Sequence, residues 1–89
     1  MRSQETDMDT LDAVITIIRN NISSDADISA DSDMRKDLGV DSFDGLMIMN
    51  EIDDAFGISV DEDDFKKVNS PQEIVDLLKD KYGIHELQR

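Results

Sequence analysis

Apolar residues along the chain fall into spaced groups. Leu11, Val14, Ile15 and Ile18, with Ile22 one turn later, follow i, i+3, i+4, i+7 spacing, which sets them on one stripe and predicts an amphipathic helix over roughly 7–20, ending near Asn20 and Asn21. From Asn21 to Asp41 the run NISSDADISADSDMRKDLGVD is rich in Ser, Asp and Asn, whose side chains bond nearby backbone and favour turns. This long loop carries Ile28, Met34 and Leu38 as anchors, so it is expected to be ordered. The segment SFDGLMIMNEIDDAF, 42–56, reads as a second helix with Gly45, Ile48, Met49, Ile52, Ala55 and Phe56 on its core half. Phe43, Met47, Asn50 and Asp54 fall on the opposite half, with Leu46 at the border. That leaves apolar side chains pointing outward near the helix start, a pattern expected of a docking patch.

Gly57 suits a left-handed cap ending the second helix. Ser59-Val60-Asp61-Glu62 matches a capping box and predicts a short third helix over about 60–67. Ser70-Pro71-Gln72-Glu73 is a second box, with Pro at the first helical position, opening a fourth helix over 71–82. That helix buries Ile74, Val75, Leu77 and Leu78, places Lys79 and Lys81 at its C-terminal end, and stops at Gly83. No strand pattern or repeat is visible. The predicted class is all-α: a small four-helix bundle, three longer helices and one short, with a long loop between the first and second. It forms a single domain over 1–89, with its core at about 7–82 and flexible ends at 1–6 and 84–89.

Composition narrows the function. The 89 residues hold 22 Asp and Glu against 9 Lys and Arg, a formal charge of −13, and 17 of the acids are Asp. Such a chain repels phosphate backbones and anionic bilayers, so nucleic-acid binding and membrane docking are excluded, and a basic partner surface is its complement. No Cys is present, so the chain has no disulfide, no cysteine-type zinc site and no thiolate of its own. Any thiol chemistry must be imported. The start MRSQETDMDT shows no apolar leader and no stretch is long enough to span a bilayer, which points to a soluble, cytoplasmic protein without membrane insertion.

Ser42 is the one candidate for covalent chemistry. In DLGVDSFD, 37–44, Asp41 is placed as N-cap and Ser42 as first helical residue, where the helix dipole and unpaired N–H groups favour a phosphate ester. Gly39 lets the loop bend so that the serine stands clear. On local physics alone a plain helix-start serine remains the commoner reading. Ser42 has no adjacent base, because the single His85 lies in the tail, so another enzyme must modify it.

The run DLGVDSFD, an amphipathic helix ending in DDAFGISV, then DEDDFKKV and SPQEIVDLL, resembles the acyl carrier proteins of fatty-acid and polyketide synthesis. The likeness runs without gaps from about 31 to 78, and the combined pattern is far more specific than a D-S dipeptide. It implies a 4′-phosphopantetheine arm moved from coenzyme A onto Ser42 by a phosphopantetheinyl transferase. Acyl groups then ride on the arm's thiol as thioesters, and the protein is a carrier, not an enzyme.

Position by position, the resemblance assigns Asp41 and Ser42 to the motif, with Phe43 in place of the usual Leu. Leu46, Ile48, Ile52, Phe56, Val60, Phe65, Val68, Ile74 and Leu77 match apolar positions of core and acyl cleft, and Met49 joins them on the wheel. Asp37, Asp44, Asp53 and Asp54 match the acidic face that meets basic acyl-transfer, ketosynthase or ligase partners, with Phe43, Leu46, Met47 and Asn50 between them. Met47 stands where the family usually has Glu, Asn50 where an apolar residue is common, Gly45 where Thr is usual and Asp61 where Pro precedes the third helix. Arg35 and Lys36 add positive charge to the loop. These departures point to a specialised carrier, monomeric and dedicated to a particular synthase, ligase or acyltransferase.

Rival classes fit less of the pattern. Asp25-x-Asp27-x-Ser29 opens like a calcium loop, but Ala30 and Lys36 occupy the positions of its Gly and bidentate Glu, so no metal site is assigned. A non-prosthetic acidic adaptor leaves DSF at a helix start unexplained. An aminoacyl or peptidyl carrier is the alternative within the carrier class. Self-repulsion at −13 predicts a melting temperature that rises as salt is added to a dilute buffer; a salt-independent melting temperature would contradict it.

Overall fold

A computed structural model describes residues 10–22 and 25–84. Its described residues form four helices and no strand: α1 (Thr10–Asn21), α2 (Ser42–Phe56), α3 (Glu62–Phe65) and α4 (Pro71–Tyr82). The all-α expectation is met, and α2 and α4 have the bounds that the sequence predicts. The expected start of α1 at residue 7 lies outside the described residues.

α1 is central, packing against both α2 and α4. Val14 and Ile18 are fully enclosed, and Thr10, Ala13 and Ile17 are buried beside them. The sequence stripe instead placed Ile15 in the core, whereas Ile15 is only half buried. A helix gripped on two sides buries a wide band, and here the band extends toward Ala13 and Ile17. The α1 face meets Ile48, Met49 and Ile52 of α2 and Ile74, Val75 and Leu78 of α4 in one apolar cluster, which Met34, Leu38 and Val40 join from the long loop.

Two helix ends are as expected. Gly57 and Gly83 adopt left-handed φ of 68° and 70°, a region L side chains rarely enter, and their N–H groups return to the Asp53 and Leu78 carbonyls. The second cap also holds Ile84, whose N–H donates to the Leu78 carbonyl at 3.0 Å and whose side chain packs on the core. Ile84, expected in the frayed tail, therefore belongs to the fold; 1–6 and 85–89 lie outside the described residues.

α3 is shorter than predicted and capped differently. The side chain of Asp61, not of Ser59, accepts the N–H of Asp63 at 2.8 Å, and the helix begins at Glu62. The Asp53 carboxylate of α2 accepts the Val60 N–H at 2.8 Å, and the chain stays extended to Asp61. The same turn brings Ile58 onto the core beside Phe56 and leaves Ala55, expected inside, exposed. The far end of α4 is tied to α3 twice, by the Asp61 N–H donating to the Tyr82 hydroxyl at 2.7 Å and by a Lys81–Asp64 ion pair. Asp64 holds the Lys81 ammonium above its usual pKa by accepting a hydrogen bond from it.

Ile52 is fully enclosed at the centre of the cluster. Ile52→Ala is expected to lower unfolding stability by about 2–5 kcal/mol in urea titration with the denaturant slope unchanged. A loss below about 1 kcal/mol would place the core elsewhere.

Candidate functional site

The long loop decides where α2 begins. Asp33 and Asp37 lock a turn: the Asp33 N–H donates to the Asp37 carboxylate at 2.9 Å, and the Asp37 N–H returns to the Asp33 carbonyl at 2.7 Å. The Asp33 carboxylate accepts the N–H groups of Arg35 and Lys36 at 3.0 and 2.8 Å. The turn is then fastened to the α3–α4 linker, because the Met34 N–H donates to the Asn69 carbonyl at 2.9 Å and the Asn69 side chain bonds the Asp33 carboxylate. Met34, Leu38 and Val40 point inward and are buried. Gly39, at φ 71°, supplies the bend between Leu38 and Val40.

After Val40 the chain turns outward. Asp41 is extended and its carboxylate accepts the Asp44 N–H at 2.9 Å, while its carbonyl accepts the Gly45 N–H at 2.9 Å. This is the N-cap that the sequence predicts, and it occupies two donors of the first turn. Ser42 is the first helical residue and is exposed, its hydroxyl at the positive end of a 15-residue helix.

Beside Ser42 opens a cleft of about 480 Å³ between the loop, α2 and α3. Met34 and Val40 line it from the loop, Gly45, Leu46 and Met49 from α2, and Phe65 and Val68 from α3 and its exit. Arg35, Asp41, Glu62, Lys66 and Asn69 supply its polar lining. Gly45 keeps the wall under the serine open, since a Cβ there would meet nothing within 4 Å.

Of the ten apolar residues expected to form core and cleft, Leu46, Met49, Phe65 and Val68 line this cleft. Ile48, Ile52, Val60 and Ile74 lie in the core behind it, and Phe56 and Leu77 are half buried at the core's edge. Met34, Val40 and Asn69 add a wall that the sequence pattern does not reveal, although the spacing makes Met34 an anchor of the loop. The buried side-chain oxygen of Asn69 has no hydrogen-bond partner.

The residues expected to dock partners divide into two groups. Phe43, Leu46 and Met47 are exposed by 70, 41 and 44 %, an apolar patch next to Ser42 with exposed Asn50 and Asp54 farther along α2. Asp37 is exposed although one oxygen fixes its turn, and Asp44 is half buried. Asp53 needs correction: it is half buried and its carboxylate is spent on the Val60 N–H, so its work is to shape the turn after α2.

Comparison with known proteins agrees with this geometry. The family model described as the phosphopantetheine attachment site matches residues 12–78. The chain belongs to the acyl carrier protein family. It is 35% identical over 68 residues to an acyl carrier protein of Rickettsia bellii, covering 75% of this chain and 79% of that protein. It is 34% identical over 73 residues to the chloroplastic acyl carrier protein 1 of Spinacia oleracea, covering 80% of this chain but only 52% of the spinach protein, about half its length. A solved structure from Mycobacterium tuberculosis described as an acyl carrier protein shares the fold, with a TM-score of 0.69 and 22% identity over 75% of this chain and 90% of that one. Acyl carrier proteins bear a covalent 4′-phosphopantetheine, and an exposed helix-start hydroxyl beside an open cleft fits that group.

A hydrogen bond from the Lys36 N–H, opposed in part by burial and aided by weaker bonds from Asn69 and the Arg35 N–H, holds the Asp33 carboxyl below its ordinary pKa of 3.8. A depressed folded-state value means that this tie contributes stability above the unfolded pKa and loses it as pH falls through the lower folded value. Asp33→Asn is therefore expected to lower stability at neutral pH and to flatten the acid limb below about pH 4. An acid limb identical to that of the wild type would show that Asp33 does not fasten the loop.

Proposed function

We propose that this chain carries acyl groups as thioesters on a 4′-phosphopantetheine arm joined to the Ser42 hydroxyl oxygen. The observation that carries this reading is the placement of Ser42: exposed, first in α2, capped by Asp41 and set on the lip of the cleft. When bound, the arm supplies the thiol that the cysteine-free chain lacks.

The chain's own groups explain why another protein must do the chemistry. No residue that lines the cleft with Ser42 is a neutral base: Asp41 is engaged in capping, Glu62 pairs with Lys66, and the only histidine, His85, lies outside the described residues. A phosphopantetheinyl transferase therefore has to take the Ser42 proton as the oxygen bonds to the phosphorus of coenzyme A and the adenosine bisphosphate leaves. Once esterified, the oxygen stays at the positive end of α2, where the dipole and the first-turn N–H groups favour the added negative charge. On this reading the protein is a substrate of enzymes and catalyses nothing itself.

Partners are addressed through α2. The Phe43, Leu46 and Met47 patch offers desolvation area beside the arm, and Asp37, Asp44 and Asp54 steer a basic enzyme surface toward it. Met47 and Asn50 interrupt the acidic face, which favours a dedicated synthase, ligase or acyltransferase over a general fatty-acid cycle. Among the described residues no helix is long and apolar enough to cross a membrane.

Incubation with coenzyme A and a promiscuous phosphopantetheinyl transferase is expected to add one phosphopantetheine to the intact mass of the wild type and none to Ser42→Ala. No gain in the wild type, or an equal gain in the variant, would sink this assignment.

A further inference from the structure

Four of the nine basic residues, Arg35, Lys36, Lys66 and Lys67, sit in two adjacent pairs beside the Ser42 cleft, and one of each pair, Arg35 and Lys66, lines it. In a chain of net charge −13 that placement needs a reason. The two segments of the wall touch: the Arg35 guanidinium donates to the Lys66 carbonyl at 3.5 Å. Despite 22 acids in the sequence, Arg35 has no ion pair among the described residues. Lys66 has only Glu62, one helical turn back, at 3.8 Å with both side chains more than half exposed, which is a weak pair. The other acid at the cleft, Asp41, holds the Asp44 N–H. The cleft therefore presents a guanidinium with no ion pair among the described residues and a loosely held ammonium, beside its apolar walls and the polar Asp41, Glu62 and Asn69.

We propose that Arg35 and Lys66 form an anion subsite in the Ser42 cleft, and that its ligand is an anionic group borne by the arm. This rests on attachment at Ser42. A guanidinium offers a planar fork matched to two oxygens of a phosphate or carboxylate, and an adjacent ammonium adds a second donor. Two groups on the arm carry that chemistry: the phosphodiester on Ser42 and, for a cargo that ends in a carboxylate, the distal carboxylate. Either would otherwise face a strongly negative surface, and the cationic wall offsets that repulsion where the arm lies. Engagement of the phosphodiester would hold the arm along the cleft, whereas engagement of a distal carboxylate would select dicarboxylic acyl groups over plain alkyl ones.

The test uses the phosphopantetheinylated protein in three forms: bare, loaded with octanoyl, and loaded with its ω-carboxylate analogue suberyl. If the phosphodiester is the ligand, its phosphorus resonance differs between the wild type and an R35Q/K66Q double variant already in the bare form. R35K recovers part of that difference. If the distal carboxylate is the ligand, the Arg35 Nε–H resonance moves on loading suberyl but not octanoyl. Hydroxylamine then cleaves the suberyl thioester about two- to fivefold more slowly in the wild type than in the double variant, as a partly exposed charge pair allows, and octanoyl shows no such difference. Both effects should shrink toward about 1 M salt, where the screening length falls to about 3 Å. Complete mass gain with phosphorus and Arg35 resonances unmoved, and equal cleavage rates, would overturn the anion subsite while leaving the carrier reading intact. Absence of any mass gain at Ser42 would overturn both.

Discussion

The fastening of the long loop to the α3–α4 linker is the contact on which the rest of the site depends. The described residues between Ile22 and Asp41 form no helix, so their backbone groups need partners elsewhere. The Met34 N–H finds the Asn69 carbonyl, the Gln72 N–H finds the Ala30 carbonyl, and Asp33 gathers two N–H groups and the Asn69 side chain. These ties fix Met34 and Val40 as the inner wall of the cleft. They also fix the direction in which the chain leaves the core, so that Asp41 caps α2 and Ser42 faces outward. Without them the cleft would lose one side and the serine its orientation.

A second consequence is that the acids do different work, although they look alike in composition. Asp41 and Asp61 cap helices, Asp33 and Asp37 lock a turn, Asp53 holds the chain after α2, and Asp64 pairs with Lys81. Of the charge left for steering, Asp44 and Asp54 lie on α2 near the apolar Phe43 patch, and Asp37, exposed on its turn, adds to them. On the proposed reading, an incoming enzyme meets an apolar contact flanked by acids, while the arm lies on the other side of Ser42 against the cations of Arg35 and Lys66. Docking and cargo handling then use opposite electrostatics a few residues apart, which keeps the anionic arm from competing with the partner for the same charges.

Much of this was legible along the chain. The bounds of α2 and α4 follow from strong punctuation: Asp41 and Gly57 for one, Ser70-Pro71 and Gly83 for the other, each a local device whose geometry depends on few residues beyond itself. Ser42 was legible for the same reason, since its position next to a cap is a local property. The face of α1 and the inner face of α2 near Ala55 were misjudged because a helical wheel shows that one side is apolar but not how many neighbours press on it, or from where. Ser59 satisfied the pattern of a capping box, yet the chain stays extended to Asp61, whose own side chain caps α3, while Asp53, seven residues before Val60, holds the Val60 N–H.

The sequence by itself determined the helical class, the caps, the absence of a thiol and the serine at the start of α2, because each rests on residue type and short-range spacing. Tertiary structure alone decided which acids remain free, which apolar residues line the cleft rather than fill the core, and that Arg35 and Lys66, 31 residues apart, share one wall. Those are questions of what a side chain meets across the fold. No local pattern records them, because the partner is chosen by how the loop and helices close on one another.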